Sequence, residues 1–414
     1  MPVRVDRDER PDVAQRYQSA VEHLAGLRGW PLTVFLTADG SAFFGGTYFP
    51  ADDPITGRGL KQLLPEVARS YRDQRSFVVQ QAALVRQLVL TGNGASRGVL
   101  RPSLVQDGIV SVARELEDAA RTRAVGGSVM HVEATALLSG GGDTAAQASA
   151  RRVLDLMLDS TAALAGEDPP RLVRAALAGS LAQAWAASGE PRYREAGRVL
   201  VRDLAKALPN LAALDADDAV FVDQEAFVIE HLLLAAATFG EPAAEKRALA
   251  ELDVLLQRTY ARRWGVRHAI AQAPAAGMTI PLGMLQDHVQ VASACLAAHH
   301  VSTASRYLDV ALDLTAVIER SYADPLGGYY DVADAPSGSL PALGDRSKHV
   351  FDDVLPGPNA AMALFLAHLA QVTGDPSYRR RAQHTLEAFV GVVSGTGVRA
   401  STFLAAARET LGTP

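Results

Sequence analysis

The sequence predicts a mainly α protein, a ring of helical hairpins preceded by a small α/β unit. Three observations predict it. Residues of strand type concentrate in the first 90 positions. Beyond about residue 100, alanine and leucine recur at spacings of three and four. An imperfect repeat runs through that second region.

The first unit reads in order. Val3 and Val5 alternate with Arg4 and Asp6, which predicts a strand. Pro11 to Leu24 predicts a helix with proline in its first turn. Leu32 to Thr37 is β-branched and aromatic, Ala38-Asp39-Gly40 is a turn signal, and Ala42 to Phe44 resumes the strand. Helical patterns follow over Gly59–Tyr71 and about Phe77–Leu90. The expected organisation is an α/β unit over 1–90, a linker over 91–102 and a helical domain over 103–414.

The repeat carries its own physics. Copies begin at Ser188 (SGEPRYREAGRVLV), Phe239 (FGEPAAEKRALAELDVLL) and Thr373 (TGDPSYRRRAQHTLEAFV), with a degenerate copy at Val301 (VSTASRYLDVALDLTAVI). In the clear copies a helix ends at glycine, an acidic-Pro step turns the chain, and a new helix starts. In the last copy Tyr378, Ala382, Leu386 and Phe389 share one stripe. Copies lie roughly 50 to 70 residues apart, room for two helices and their loops. Such hairpins stack into an open solenoid or close into a toroid. Long Gly- and Pro-rich connections such as Ala323–Gly344 favour the toroid, and loops gathered at one end are expected to form a pocket.

Composition narrows the function. The net charge is −6, and the 36 arginines, against four lysines, are scattered, so no nucleic-acid surface is expected. No apolar run reaches the ~18 residues of a membrane span, and no signal peptide is evident. A cytoplasmic protein is the expectation. The single cysteine, Cys295, sits in an apolar helical pattern and is expected to be a buried, inert thiol. No H-E-x-x-H or phosphate loop occurs; Ser139–Asp143 (SGGGD) lacks the lysine of a P-loop and reads as a turn. His299-His300 diverge by about 100° on a helix, poor geometry for one metal. No cofactor and no metal are expected.

VRVDRDERPDV followed by GWPLTVFLTADGSAFFGGTYFP resembles the spermatogenesis-associated protein 20-like family. The resemblance is dense over Val3–Pro50. It is looser over LQDHVQVASACLAA, LGGYYDVADAP and FDDVLPGPNAAMALFLAHLAQVTGDPSYRRRA, and weakest over about Ala120–Gln286. It implies a thioredoxin-like domain joined to an α/α toroid of the six-hairpin glycosidase type. It also implies two further β-α units before Val3, roughly 50–60 residues, with a Cys-His-Trp-Cys-His motif that this sequence lacks. The expectation is a start assigned too late, in preference to a real loss of the half-domain. It implies that Trp30-Pro31 is the cis-proline of the thioredoxin fold. The charge run Asp6–Asp12 reads either as a loop beside the complete domain's active site or as a solvated helix entry.

Site candidates follow from chemistry. A sugar-acting toroid needs two carboxylates across a pocket, for which Asp287, Asp331, Asp352 and Asp353 are available. Tyr329 and Tyr330 can stack on a sugar ring and Asn359 can bond a hydroxyl. By the resemblance, Asp287, Asp353, Pro356 and Asn359 fall at the family's closing loops. Histidines serving as acid and base would come from His231, His268, His288 or His349. The set carried forward for substrate is Asp287, His288, Tyr329, Tyr330, Asp353 and Asn359, each equally readable as a helix cap or turn residue. The expected function is a thioredoxin-domain-containing protein without redox activity of its own, whose toroid binds a carbohydrate or other small polar ligand. A sugar hydrolase or epimerase is one alternative. A thiol-disulfide protein, given a Cys-x-x-Cys upstream, is the other.

Overall fold

The computed structural model describes all residues except 57–58, 93–95, 123–126, 142, 164–169, 215–218, 272–282, 334–341, 343 and 413–414. The chain divides into two compact units. One comprises 1–94 with 332–347, the other 95–331 with 348–414.

The first unit holds α1 (Pro11–Ala25), β1 (Thr33–Leu36), β2 (Ala42–Gly46), α2 (Leu60–Asp73) and α3 (Arg75–Gly92). β1 and β2 form an antiparallel hairpin, Thr33 opposite Gly46, with an irregularity at Phe35/Leu36. Asp39 builds its turn by accepting from the Ser41 hydroxyl at 2.8 Å and from Thr37. Ala20, Ala42, Val85 and Val89 form the core, with Tyr17, Leu24 and Val34 packed on it. The segment 342–347, which the sequence assigns to the helical domain, belongs here. Arg86 grips the Asp345 carboxylate (Nη2–Oδ1 2.6 Å), and Ala342 N–H donates to the Asp39 carbonyl at 3.0 Å.

The strand expected at Val3–Val5 does not form. Both valines are exposed, at 71% and 46%, and the described sheet has two strands, β1 and β2. An extended segment needs a neighbour for its N–H and C=O groups, and β1 pairs only with β2. The charge run becomes a solvated entry to α1, with the Asp6 carboxylate accepting from Asp8 N–H at 2.9 Å.

The second unit begins with α4 (Pro102–Arg121), α5 (Val129–Ser139), α6 (Thr144–Ala163), α7 (Arg171–Ser188) and α8 (Pro191–Ala207). Then come β3 (Ala219–Phe221), α9 (Val222–Phe239), α10 (Pro242–Thr259) and β4 (Ala269–Ala271). The rest is α11 (Leu285–Ser302), α12 (Ser305–Ser321), α13 (Pro358–Thr373), α14 (Pro376–Glu387), the short α15 (Val390–Val393) and α16 (Ser401–Leu411). Helices α5, α7, α9, α11, α13 and α16 each pack on the next, and α16 packs back on α5. That closes a ring of six inner helices, with α4, α6, α8, α10, α12 and α14 outside, so the toroid expectation holds.

Side-chain pattern sorts the layers. Outer helices bury one stripe, such as Tyr193, Gly197, Val201 and Leu204 of α8. Inner helices are apolar almost all round, as in VIEHLLLAAATF of α9, and touch neighbours on several sides. Gly197 lets the layers meet: a Cβ there would lie 2.2 Å from the Phe239 ring.

Outer helices run against inner ones, so the six inner helices point the same way. At their C-terminal ends the turns are short: 140–143, 189–190, 240–241, 303–304 and 374–375. The repeat marks these turns. Gly189, Gly240 and Gly374 take the left-handed conformation (φ 66°, 69° and 70°), and in the degenerate copy Thr303 takes it at φ 58°. In the SGGGD run, Gly140 follows the end of α5 and Asp143 accepts from Ala145 N–H at 2.8 Å, while residue 142 lies outside the described residues. At the other end the connections are long, up to 322–357.

A β-branched residue in the left-handed region is disfavoured by about 1–2 kcal/mol, while glycine costs roughly 0.5–1 kcal/mol in chain entropy. Thr303 is exposed. Thr303→Gly is therefore expected to stabilise the protein by about 0.5–1 kcal/mol in urea unfolding; no change or a loss would count against a strained turn.

Candidate functional site

The long-connection end holds the residues singled out from sequence. Asp287 is fully buried at the third position of α11 and accepts from Met284 N–H at 2.7 Å. Both its oxygens face His268 Nδ1, at 2.9 and 3.0 Å. Burial, reinforced by the Asp287 charge, pushes neighbouring Asp223 up to about 7, against the pull of His268. Asp223, His268 and Asp287 offer ligand atoms within 4.8 Å of one another, a donor set that can hold a cation, although the sequence reading expected no metal.

His288 is a pin. Its Nδ1 donates to the Met284 carbonyl at 2.7 Å, its Nε2 accepts from Val266 N–H at 3.3 Å, and burial lowers its pKa. Asn359 uses its whole amide: Oδ1 accepts from Tyr329 N–H at 2.7 Å, and Nδ2 donates to the Tyr329 and His349 carbonyls, both at 2.9 Å. Tyr329 is buried with its hydroxyl donating to Glu319 at 2.8 Å. Tyr330 is half-buried, 5.2 Å from the Lys348 ammonium. Asp331 holds His349, and Asp352 caps α16 through Thr402 N–H at 2.8 Å. Asp353 is exposed.

These residues therefore fasten the long connections to the inner-helix N-termini. Among the described residues, none of Asp287, His288, Tyr329, Tyr330, Asp353 and Asn359 lines the lumen of the ring. Trp30-Pro31, in the first unit, is a cis peptide, both residues exposed, with the Arg7 guanidinium 5.6 Å from the indole.

The lumen itself is a cavity of about 330 Å³ walled by inner helices. Its wall residues Gln183, Ala186, Leu234 and Thr238, toward the C-terminal ends of α7 and α9, are exposed, so the cavity meets solvent at the short-turn end. Glu133, Ser180, Glu230, His231, His368 and Arg408 converge on it from α5, α7, α9, α13 and α16.

His231 is clamped between two acceptors. Nδ1 lies 3.0 Å from the Phe227 carbonyl and Nε2 lies 3.0 Å from Glu133 Oε1. Acceptors at both nitrogens require a proton on each, which makes an imidazolium. Burial opposes that charge, but the hydrogen bond and charge of Glu133, helped by Glu230 and Phe227, raise the pKa to about 9. Burial pushes Glu230 up to about 7; His231 pulls it down and Glu133 adds to the rise. Burial lowers the pKa of His368. Gly179 makes room for the His231 ring, since a Cβ there would sit 2.8 Å from Cδ2. The Ser180 hydroxyl is buried and without a hydrogen-bond partner among the described residues. The wall thus presents a charged pair and a carboxyl that titrates near neutrality. Such a set can bind hydroxyls and exchange protons with them.

Of these residues only His231 was among the sequence candidates. The missed signal was a titratable residue in the middle of an otherwise apolar helix, as in VIEHLLL and FLAHLAQ.

Residues 1–89 match the family model Thioredox_DsbH, described as a protein of unknown function, DUF255. Residues 1–89 are similar to this family. The Thioredox_DsbH region also aligns with human spermatogenesis-associated protein 20, 33% identical over 96 residues, or 23% of this chain and 12% of the relative. An uncharacterised Caenorhabditis elegans protein is 37% identical over 87 residues, 21% of this chain and 12% of the relative. The matched stretch thus spans about an eighth of these relatives. Outside the Thioredox_DsbH region the likeness is structural. An unsaturated glucuronyl hydrolase from Bacillus sp. GL1 superposes with a TM-score of 0.55 at 14% identity, over 74% of this chain and 95% of that one. An unsaturated glucuronyl hydrolase specific for heparin gives 0.52 at 14%, over 75% and 98%. A family 105 glycoside hydrolase from C. acetobutylicum gives 0.51 at 11%, over 72% and 99%. The shared fold is the glycosidase-like α/α toroid. Among the described residues no helix is long and apolar enough to cross a membrane.

The His231 clamp sets a pH dependence. Its folded pKa, about 9, exceeds the ordinary value of 6.5, so its contribution is complete below about pH 6.5 and is lost as pH rises through about 9. The melting temperature is expected to fall between about pH 7 and about pH 8.5, and His231→Gln is expected to flatten that fall. An unchanged slope in the variant would show that another group controls it.

Proposed function

We propose that this is a thioredoxin-domain-containing protein whose helical toroid binds a carbohydrate or another small polar ligand in its lumen. The observation that carries the reading is the composition of the lumen wall. An apolar ring places Glu133, Glu230 and the His231 imidazolium around about 330 Å³. Pockets of this size with a few convergent polar groups are typical small-molecule sites. The fold neighbours named as hydrolases of glucuronyl and other glycosidic substrates support a sugar as the first ligand class to try.

Dithiol chemistry is not supported by the residues present. It needs two thiols within bonding reach, and the sequence holds one cysteine, Cys295, which is fully buried with its thiol pKa pushed up by burial.

The test is titration of the full chain with D-glucose, D-mannose and D-glucuronate, following the imidazole signals of His231 and His368 by NMR. At least one sugar is expected to move both signals saturably, and to raise the melting temperature in step with occupancy. Glu230→Gln is expected to weaken that binding about tenfold. If no sugar in the panel moves either imidazole, the lumen is not a carbohydrate site.

A further inference from the structure

The lumen wall is polarised along the ring axis. Glu133 and His231 pair at one level. Arg408, on α16, lies at another. Its Nη1 donates to the Leu137 carbonyl at 2.9 Å. Its guanidinium rests over Gly140 and Gly141, where an added Cβ would meet it at 3.3 Å. Leu137 follows Glu133 by one helical turn and Gly140 by two, so the guanidinium stands roughly 6–12 Å from the Glu133 level along α5. The acid-imidazole cluster and the guanidinium are therefore separated by about one sugar ring with its substituents.

Arg408 has no counter-ion. Among the described residues no carboxylate forms an ion pair with it. Neighbouring Glu409 accepts instead from Gln371 Nε2 at 3.1 Å. Burial lowers the Arg408 pKa, with the Glu409 charge acting the other way. A half-buried guanidinium without an anion is costly, and a planar carboxylate is the group its fork fits best. Gln183 stands beside it: its Oε1 and Arg408 Nη2 would both lie 3.3 Å from a Cβ on Gly140.

We infer that the lumen is built for a polyhydroxylated ligand bearing one carboxylate, with that carboxylate on Arg408 and its hydroxyls on the Glu133–His231 pair. This rests on the ligand reading above and narrows it. No covalent step is involved. The carboxylate supplies the anion that Arg408 lacks among the described residues. The carboxylate end lies toward Gly140 and Gly141, in the short turn after α5, and so at the solvent-facing end of the lumen. Gln183 is exposed at the same end.

The experiment is calorimetric titration of the full chain with D-glucuronate and D-glucose, which differ at one carbon. Glucuronate is expected to bind at least about tenfold tighter than glucose, with a preference that weakens as salt rises. Arg408→Gln is expected to abolish the preference, bringing glucuronate affinity down to that of glucose. Arg408→Lys retains a charge but not the fork, so it is expected to keep part of the preference. The lysine variant also serves if the glutamine variant fails to fold. Equal affinities for the two sugars, or a preference that survives in either variant at full strength, would overturn the carboxylate assignment while leaving the carbohydrate reading intact. If neither sugar binds the unmodified protein, both fall together.

Discussion

Ring closure is the constraint on which the second unit depends. Helices apolar on nearly every side cannot stand at an edge, because each must be covered by neighbours. Helices α5 and α16 would be the two ends of an open array. Their packing on one another removes both ends at once. Arg408 reaches from α16 to the Leu137 carbonyl of α5, and Glu115 of α4 accepts from Val398 N–H at 2.9 Å just before α16 begins. The closing contact is therefore polar at its margins and apolar between, with Phe403, Leu404 and Ala407 all buried on α16. Closure also creates the lumen. Six helices around one axis leave a hole that apolar side chains of this size do not fill, and the polar groups face it.

Closure gives the two ends of the ring different tasks. Two-residue turns leave little chain to cover the C-terminal ends of the inner helices. Long connections at the N-terminal ends must bury their own backbone, and they need side chains to bond it. Asp287, Asn359, Asp331 and Asp352 do that bonding, and their acceptors point at backbone N–H groups of neighbouring segments. A carboxylate engaged in this way has little freedom to meet a ligand. The same logic explains the buried Asp223–His268–Asp287 cluster, which ties β4 to the starts of α9 and α11.

The legible part of the fold was the part encoded locally. Helix α1 with Pro11, the β1–β2 hairpin and the Gly-acidic-Pro turns are each decided by a few consecutive residues. Even the degenerate copy pointed to a real turn, since Thr303 adopts the conformation of the glycines it replaces. Val3–Val5 failed because a strand is not local: the pattern was present, and no strand pairs with it among the described residues. The site failed for a related reason. Asp, Asn and Tyr near turns attract attention in a sequence, yet turn positions are where such residues bond backbone. Glu133, Ser180, Glu230, His368 and Arg408 lie far apart in sequence and meet only when the ring closes. Each looks like a stray polar residue in an apolar helix until its neighbours across the axis are known.

The charges of the lumen explain why it tolerates them. Glu133 and the His231 imidazolium cancel at 3.0 Å, and Glu230, with its pKa pushed up to about 7, is largely protonated at slightly acid pH. Losing the His231 proton would leave two carboxyls facing each other across the wall without a cation between them. That is the arrangement burial penalises most. Glu230 and His231 thus limit each other: the imidazolium pulls Glu230 toward ionisation, and an ionised Glu230 holds the imidazolium proton more tightly. Arg408 stands outside that balance, which is why its charge, alone on the wall, is left for a ligand to neutralise.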